Sequence, residues 1–401
     1  METLYVTGEL ANAADVIPSQ SSPGARSTRT VAGLDRAALI LFACAMAALA
    51  VMSAFTPKIN WDGVAYTALI QQKPGMTDVQ VHDRAYSAIH SAITPRQWAE
   101  VTTGSPWIQM QFNNPAQFSQ ELGMYRIKIG YVYVARVVAS ILPPLSALRV
   151  VNSIALALIA FVAICWMIAG RFEQSAFFVF PAWMAVQLYE ASQLTTPDML
   201  NAALALAGLF LLRTGRATLA ALVFALATIT RLDFIVFPAC FLAVALIART
   251  DRKAATLSFL LPAAATVAVM FGVDHPSWWD HFNFSLGQVD LTQAQPFSIH
   301  SYLIDLAHGL DKMAALAWPG VALLCVAAWL LIPGVDWRSP TKADVLLMAL
   351  LLSLAARCFV FPLPEARLYL PTMMMIIMLV AERWSPRFQS ALGSPVSSAG
   401  S

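Results

Sequence analysis

The stretch AALILFACAMAALAVMSAFT, residues 37–56, runs for twenty residues without a charge. At 1.5 Å per residue, a helix of that length covers about 30 Å, the hydrocarbon thickness of a bilayer. Ala48-Leu49-Ala50 imitates a signal-peptide cleavage site. The core of a signal peptide is shorter, however, and the polar lead here is long, so the segment is expected to remain as a first membrane span. Comparable apolar runs recur at 150–169, 175–193, 198–212, 217–230, 233–248, 254–273, 314–332, 344–361 and 367–381. Across the whole chain 58% of residues are hydrophobic and 12% charged, against roughly 25% charged in soluble domains. The expected fold is all-α: a polytopic transmembrane helical bundle of about ten spans, with a long first outer loop carrying juxtamembrane helices.

Basic residues orient such a chain. With the amino terminus in the cytoplasm, the cytoplasmic connections contain Arg171; Arg213 and Arg216; Arg249, Arg252 and Lys253; Arg338 and Lys342; and Arg383 and Arg387. Every short cytoplasmic loop is then basic, as the positive-inside rule requires. The resulting division has residues 1–36 (with Arg26, Arg29 and Arg36) and 382–401 as disordered cytoplasmic tails. Between them lies one transmembrane domain, 37–381, with outer loops at 57–149 and 274–313. The run Ile129–Leu142 would invert everything downstream if it crossed; it is short, ends at Pro143-Pro144 and carries Arg136, so it is read as interfacial or re-entrant. A net charge of +2 gives no reason to expect nucleic acid as a partner. The five cysteines all lie in apolar runs and read as small buried hydrophobes.

Some polar residues fall where they are costly. Arg231 precedes Asp233 at the outer end of a short span, Arg357 lies inside the ninth, and Arg367 opens the last in FPLPEARLYLP. An intramembrane arginine needs a partner. Two are open: a neighbouring carboxylate (Asp233 for Arg231, Glu365 for Arg367) or an anionic ligand such as a phosphate, which suits the guanidinium fork. In Thr195-Thr196-Pro197-Asp198, Thr196 can cap a helix, Pro197 fits its first position and Asp198 complements the dipole. Capping alone would account for Asp198; its position at an outer membrane face favours a functional role as well. Asp62, six residues past the first span, opens INWDGVAYTALIQQ, in which Trp61, Ala65, Tyr66 and Leu69 have helical spacing. An amphipathic helix lying at headgroup depth is expected there. The second outer loop mixes Trp278 and Trp279 with Asp274, His275, Asp280, His281, His300 and His308, without metal-ligand spacing. Its tryptophans suit an interfacial aromatic belt or a stacked sugar.

These motifs resemble the GT-C superfamily of membrane glycosyltransferases, most closely the branch of protein O-mannosyltransferases and bacterial aminoarabinose transferases. WDGVAY (61–66) is similar to that family's acidic residue and Tyr after the first span. IKIGYVYVARVVASILPPLSALRVVNSI (127–154) resembles its juxtamembrane helix and second span, LYEASQLTTPDML (188–200) its Asp at the mouth of a later span, and EARLYLP (365–371) its lipid-phosphate element. The resemblance implies Asp62 as general base, and Asp198 beside the same cavity, touching the acceptor or helping to hold a divalent cation. It implies Arg367, with Lys128, on the phosphate of a polyprenyl-phosphate sugar; the other costly membrane arginines, Arg231 and Arg357, are expected to help hold that phosphate. Trp61, Tyr66 and Tyr369 are the expected substrate contacts. Two departures stand out: Gly63 replaces a second adjacent acid, and Ile129-Gly130 follows Lys128 where a Pro pair is usual.

The function expected is transfer of a sugar, with inversion, from a polyprenyl-phosphate donor to a lipid, glycan or protein acceptor at the outer face of the inner membrane. A transporter or flippase of a lipid-linked or anionic substrate explains the arginines equally well, but it predicts internal repeats that the chain lacks. A non-catalytic scaffold of the cell envelope is the third reading.

Overall fold

The computed structural model describes residues 23–287, 291, 295–332 and 339–391. Among them every regular element is helical. The first helix, α1 (Pro23–Phe55), buries Ala38, Phe42, Met46 and Leu49, spaced as one helical stripe, and turns Ile40, Leu41, Val51, Met52 and Phe55 outward. A helix apolar on both its buried and its exposed face is at home in lipid.

The segment expected as the first outer loop folds into seven short helices: α2 (Trp61–Gln71), α3 (Asp78–His90), α4 (Pro95–Thr102), α5 (Pro106–Asn113), α6 (Pro115–Glu121), α7 (Gly123–Arg126) and α8 (Ile129–Val138). Their starts are written locally. Asn60, Thr77, Thr94, Ser105 and Asn114 each accept a backbone N–H at a helix beginning, and Pro95, Pro106 and Pro115 occupy first-turn positions. The helices enclose their own core, with Trp61, Tyr66, Tyr86, Phe118 and Tyr131 buried. This corrects the expectation for α2, which is buried from Gly63 to Ile70 and so is not an amphipathic surface helix. The periodicity of Trp61, Ala65, Tyr66 and Leu69 marked only one of its buried faces.

At ten residues α8 is about 15 Å long, half of a bilayer core. It buries Tyr131 and Ala135, exposes Tyr133, Val134 and Val137, and Arg136 donates to the Leu69 carbonyl at 2.6 Å.

The bundle continues with α9 (Pro144–Gly170), α10 (Ala176–Ala185), α11 (Leu188–Gln193), α12 (Asp198–Arg213), α13 (Ala217–Thr230), α14 (Val236–Ala248) and α15 (Arg252–Gly272). After α16 (Trp278–Ser285) and α17 (Ile299–Ala314) come α18 (Ala317–Leu330), α19 (Lys342–Val360) and α20 (Ala366–Ala391). Among the described residues four helices are long and apolar enough to cross a membrane: α1 from Gly33, α9, α15 and α19. A fifth counts if α17 and α18, bent by 77°, form one broken span. The other expected spans are helical but, α20 apart, have 16 residues or fewer. The expected span 175–193 is interrupted at Gln187, whose left-handed backbone (φ 66°) separates α10 from α11. Helix extends into both expected tails, as α1 starts at Pro23 and α20 runs to Ala391. The rest of the tails and Arg338 lie outside the described residues, as do the side chains of Arg26, Arg29 and Arg387.

The axis of the bundle is α20, buried at every position from Leu368 to Val380 and packed against α10, α12, α18 and α19. Two charged layers terminate it. At one end Arg213 grips Glu382 (2.8 and 3.1 Å), Arg383 reaches Asp344 (3.1 Å) and Lys342 reaches Asp251 (3.3 Å). These basic residues belong to the loops assigned to one membrane face from sequence. At the other end lie Asp62, Asp198, Arg231, Asp233, Arg357 and Arg367. The helical runs Asp198–Arg213, Arg367–Glu382 and Asp344–Arg357 separate the layers by about 20–23 Å. Such helices are short for a full bilayer, a mismatch that thinning of the membrane or a polar cavity accommodates.

Candidate active site

Asp62 sits in the first turn of α2, where the local sequence fixes it. Asn60 caps this helix, accepting from Gly63 N–H (3.3 Å) while its own amide donates to Asp62 Oδ2 (2.9 Å). Gly63 is required by packing: a Cβ there would stand 2.6 Å from Thr195 Oγ1. The glycine that replaces a second acid is therefore the contact that brings α2 against the Thr195–Asp198 turn. Tyr125, arriving from α7, donates to Asp62 Oδ1 at 2.7 Å, and Arg367 donates to Oδ2 at 2.5 Å.

Asp198 is fully buried at the start of α12. Thr196 does not cap this helix as expected; no side chain does. Its hydroxyl instead donates to Asp198 Oδ2 at 2.6 Å, and Arg231 Nη1 donates to Oδ1. Arg367 Nη1 lies 3.7 Å from Oδ2. Arg231 also holds Asp233 with two donors (3.1 and 2.7 Å), and Asp233 in turn receives Arg357. The result is an alternating chain, Asp62–Arg367–Asp198–Arg231–Asp233–Arg357, with Glu365 on Arg367 Nε at 2.6 Å. Both neighbour pairings read from the sequence exist, and long-range pairs link them into a network. Buried charges cost several kcal/mol each to desolvate, so such a network is poor evidence for stability and good evidence for a site.

Lys128 is set apart. Gly130 lets α8 begin directly on the end of α13, since a Cβ there would lie 3.0 Å from Thr230 Oγ1. Lys128 Nζ donates to the Met124 carbonyl at 2.8 Å and stands 4.7 Å over the Tyr125 ring. Among the described residues no carboxylate lies within ion-pair distance of it. Burial, with the Arg231 charge, pushes its ammonium down to about 8 against the pull of Asp62, Asp233 and Asp198. Asp62 is shifted as well. Burial opposes its ionisation, but the Arg367 charge, the hydrogen bonds from Tyr125 and Arg367, and Lys128 together hold its carboxyl below the usual range. Burial and the Asp62 charge push the Tyr125 phenol well up, so it remains a donor.

A cavity of about 340 Å³ adjoins this cluster, walled by Asn60, Glu190, Leu194, Glu365 and Arg367. The structure thus brings Asp62, Asp198, Arg231, Arg357, Arg367 and Lys128 together. It does not bring Trp61, Tyr66 or Tyr369 to the cavity wall. Trp61 packs on Trp107, Phe118 and Tyr125, Tyr66 lies between Tyr125 and Tyr131, and Tyr369 stacks on Trp318 at 4.3 Å. Trp278 and Trp279 pack with Phe282, Tyr302 and Phe297. His281 is pushed to about 3 by burial and by Lys128, hence neutral. Among the described residues no three His, Cys, Asp or Glu side chains gather as metal ligands. Asp62 and Asp198 already receive arginine donors, so this donor set does not fit a divalent cation. Sequence reasoning missed Tyr125 and Asn60. Asn60 was readable as a cap before α2, whereas Tyr125 meets Asp62 only through the packing of the helices α2–α8.

No curated protein and no solved structure matches the chain. The sequence model of glycosyltransferase family 87 matches residues 132–362, from within α8 to just beyond α19. That stretch includes Asp198, Arg231, Asp233 and Arg357, and supports a membrane glycosyltransferase without distinguishing the O-mannosyltransferase or aminoarabinose transferase branch. With more than half of its length covered, the chain belongs to glycosyltransferase family 87.

Proposed function

We propose that the protein transfers a sugar from a polyprenyl-phosphate donor to an acceptor hydroxyl, with inversion, at the non-cytoplasmic face of the inner membrane. The observation that carries this reading is the convergence of Asp62, Arg367 and Asp198, with Lys128 beside them, at one end of the bundle. The basic loops collect at the other end, which supports a cytoplasmic location for that end by the positive-inside rule. Asp62, ionised at neutral pH, accepts the acceptor's proton as its oxygen bonds to the anomeric carbon. The bond to the phosphate breaks, and the leaving charge is stabilised by fixed cations in a site of low dielectric. The motifs at 61–66 and 365–371, outside the family match, supply the likeness that points to a lipid-phosphate donor.

Lys128 is the cluster cation most available to that phosphate, because carboxylates engage the three arginines. Lys128→Met is expected to raise the donor KM about 10–100-fold, the weight of one charge-assisted hydrogen bond. Its ammonium is charged below about 8 and loses its proton as pH rises through that value. Wild-type kcat/KM for donor should therefore fall above pH 8, while Lys128→Arg keeps it level. Steady-state kinetics with a polyprenyl-phosphate hexose checks this. A donor KM indifferent to both substitution and pH removes Lys128 from the phosphate site.

A further inference from the structure

The two oxygens of Asp62 look in different directions. Oδ1 meets Tyr125, whose ring lies beneath Lys128, and Oδ2 meets Asn60 and Arg367, both of which wall the cavity. Lys128 stands over the Tyr125 ring, on the Oδ1 side, with Arg231 close enough for its charge to be felt there. The cavity offers the Glu190 and Glu365 carboxylates with the Asn60 and Gln187 amides, and its one cation among the described residues, Arg367, is already held by Asp62 and Glu365, so the lining disfavours a phosphate and pairs with hydroxyls. Gln187 marks the place at which the expected span 175–193 breaks. It holds a left-handed backbone and, like Glu190, makes no side-chain hydrogen bond to another described residue. Strained backbone that lines a cavity in an interrupted membrane helix is where substrate sites form. About 340 Å³ lies at the small end of ligand pockets, which run from roughly 300 to 1,000 Å³.

We propose that this cavity is the acceptor subsite, that its occupant is an uncharged polyhydroxyl group, and that Gln187 and Glu190 set that preference. The inference rests on the transferase reading of Asp62: an acceptor hydroxyl seated here gives its proton to Oδ2 as its oxygen bonds to the sugar, and the bonding pair to the old oxygen leaves with the phosphate on the Lys128 side.

The test does not need turnover. Leu194→Cys puts a thiol on the cavity wall of the full chain in nanodiscs, and peptide mass spectrometry reads its modification by a small methanethiosulfonate with the native cysteines in place. Pro364→Cys supplies a second wall position, so the result does not hang on one substitution. Methyl glucoside or methyl mannoside should slow the modification by 1 + [L]/Kd, about tenfold at ten times Kd, and inorganic phosphate should not. Adding Glu190→Gln, or Gln187→Asn (Asn tolerates the left-handed backbone), should abolish most of that protection. Protection by phosphate, absence of protection by either glycoside, or protection unaltered by both substitutions would overturn the proposal. If protection holds while Asp62→Asn retains full transfer, the cavity stands as a sugar site and the assignment of Asp62 falls instead.

Discussion

Replacing Asp62 with Asn is expected to lower sugar transfer by about 10²–10⁴-fold, the range for losing a positioned general base, while leaving the protein folded. The second half of that expectation follows from the network. Arg367 keeps Glu365 at 2.6 Å and Asp198 at 3.7 Å when the Asp62 charge is removed, so no guanidinium is left buried without a carboxylate. The Asn oxygen still accepts from Tyr125, and Gly63 still packs on Thr195. Melting temperature and size-exclusion profile should match the wild type as transfer collapses. The wild-type rate should also persist at acidic pH. Arg367, Tyr125 and Lys128 hold the Asp62 carboxyl below its ordinary value despite burial, so the base stays ionised until pH falls beneath the usual carboxylate range. Near wild-type transfer by Asp62→Asn would remove this residue from the mechanism.

Asp198→Ala is expected to act on stability first. Asp198 is 1% exposed and lies between Arg231 and Arg367, so its removal leaves a buried excess of positive charge. Breaking a buried ion pair by deleting one partner costs about 3–5 kcal/mol, a large share of the roughly 5–15 kcal/mol that stabilises an ordinary domain. The measurement is thermal unfolding of the purified variant in nanodiscs, compared with Asp198→Asn, whose one oxygen keeps the Thr196 hydrogen bond while the charge and the acceptor facing Arg231 are lost. A marked drop for Ala and a smaller one for Asn is the expected order. An Asp198→Ala protein as stable as wild type would mean that the network is solvated in the working enzyme.

Sequence was most informative where the physics is local or averaged. Uncharged apolar runs located the helices, and the basic loops chose residues that do gather at one end of the bundle. Arg231, Arg357 and Arg367 were singled out because charge inside a membrane span is costly, Asp62 and Asp198 by their places at the outer ends of spans, and Lys128 only by the family resemblance. The packing within the site could not be read this way. Helical spacing in 61–69 suggested an amphipathic surface helix, yet α2 is buried on every side, because the short helices that follow it close over it. Tyr125 reaches Asp62 across 63 residues, and no local pattern announces such a contact. Trp61, Tyr66 and Tyr369, expected as substrate contacts, pack against other aromatic rings and do not line the cavity. The break at Gln187 left no proline or glycine as a signal; only its backbone angle reveals it. Gly63 and Gly130, which read as departures from a family pattern, are contacts that a side chain would block.

The central claim is a covalent transfer from a lipid phosphate, and the most direct measurement follows both products. Purified protein in nanodiscs would be given an anomerically pure polyprenyl-phosphate hexose and an alkyl glycoside acceptor, with NMR reading the new glycosidic bond. The account predicts stoichiometric polyprenyl phosphate and a glycoside of inverted anomeric configuration, both absent with Asp62→Asn. Passage of the intact donor across the membrane with no glycoside formed would contradict it.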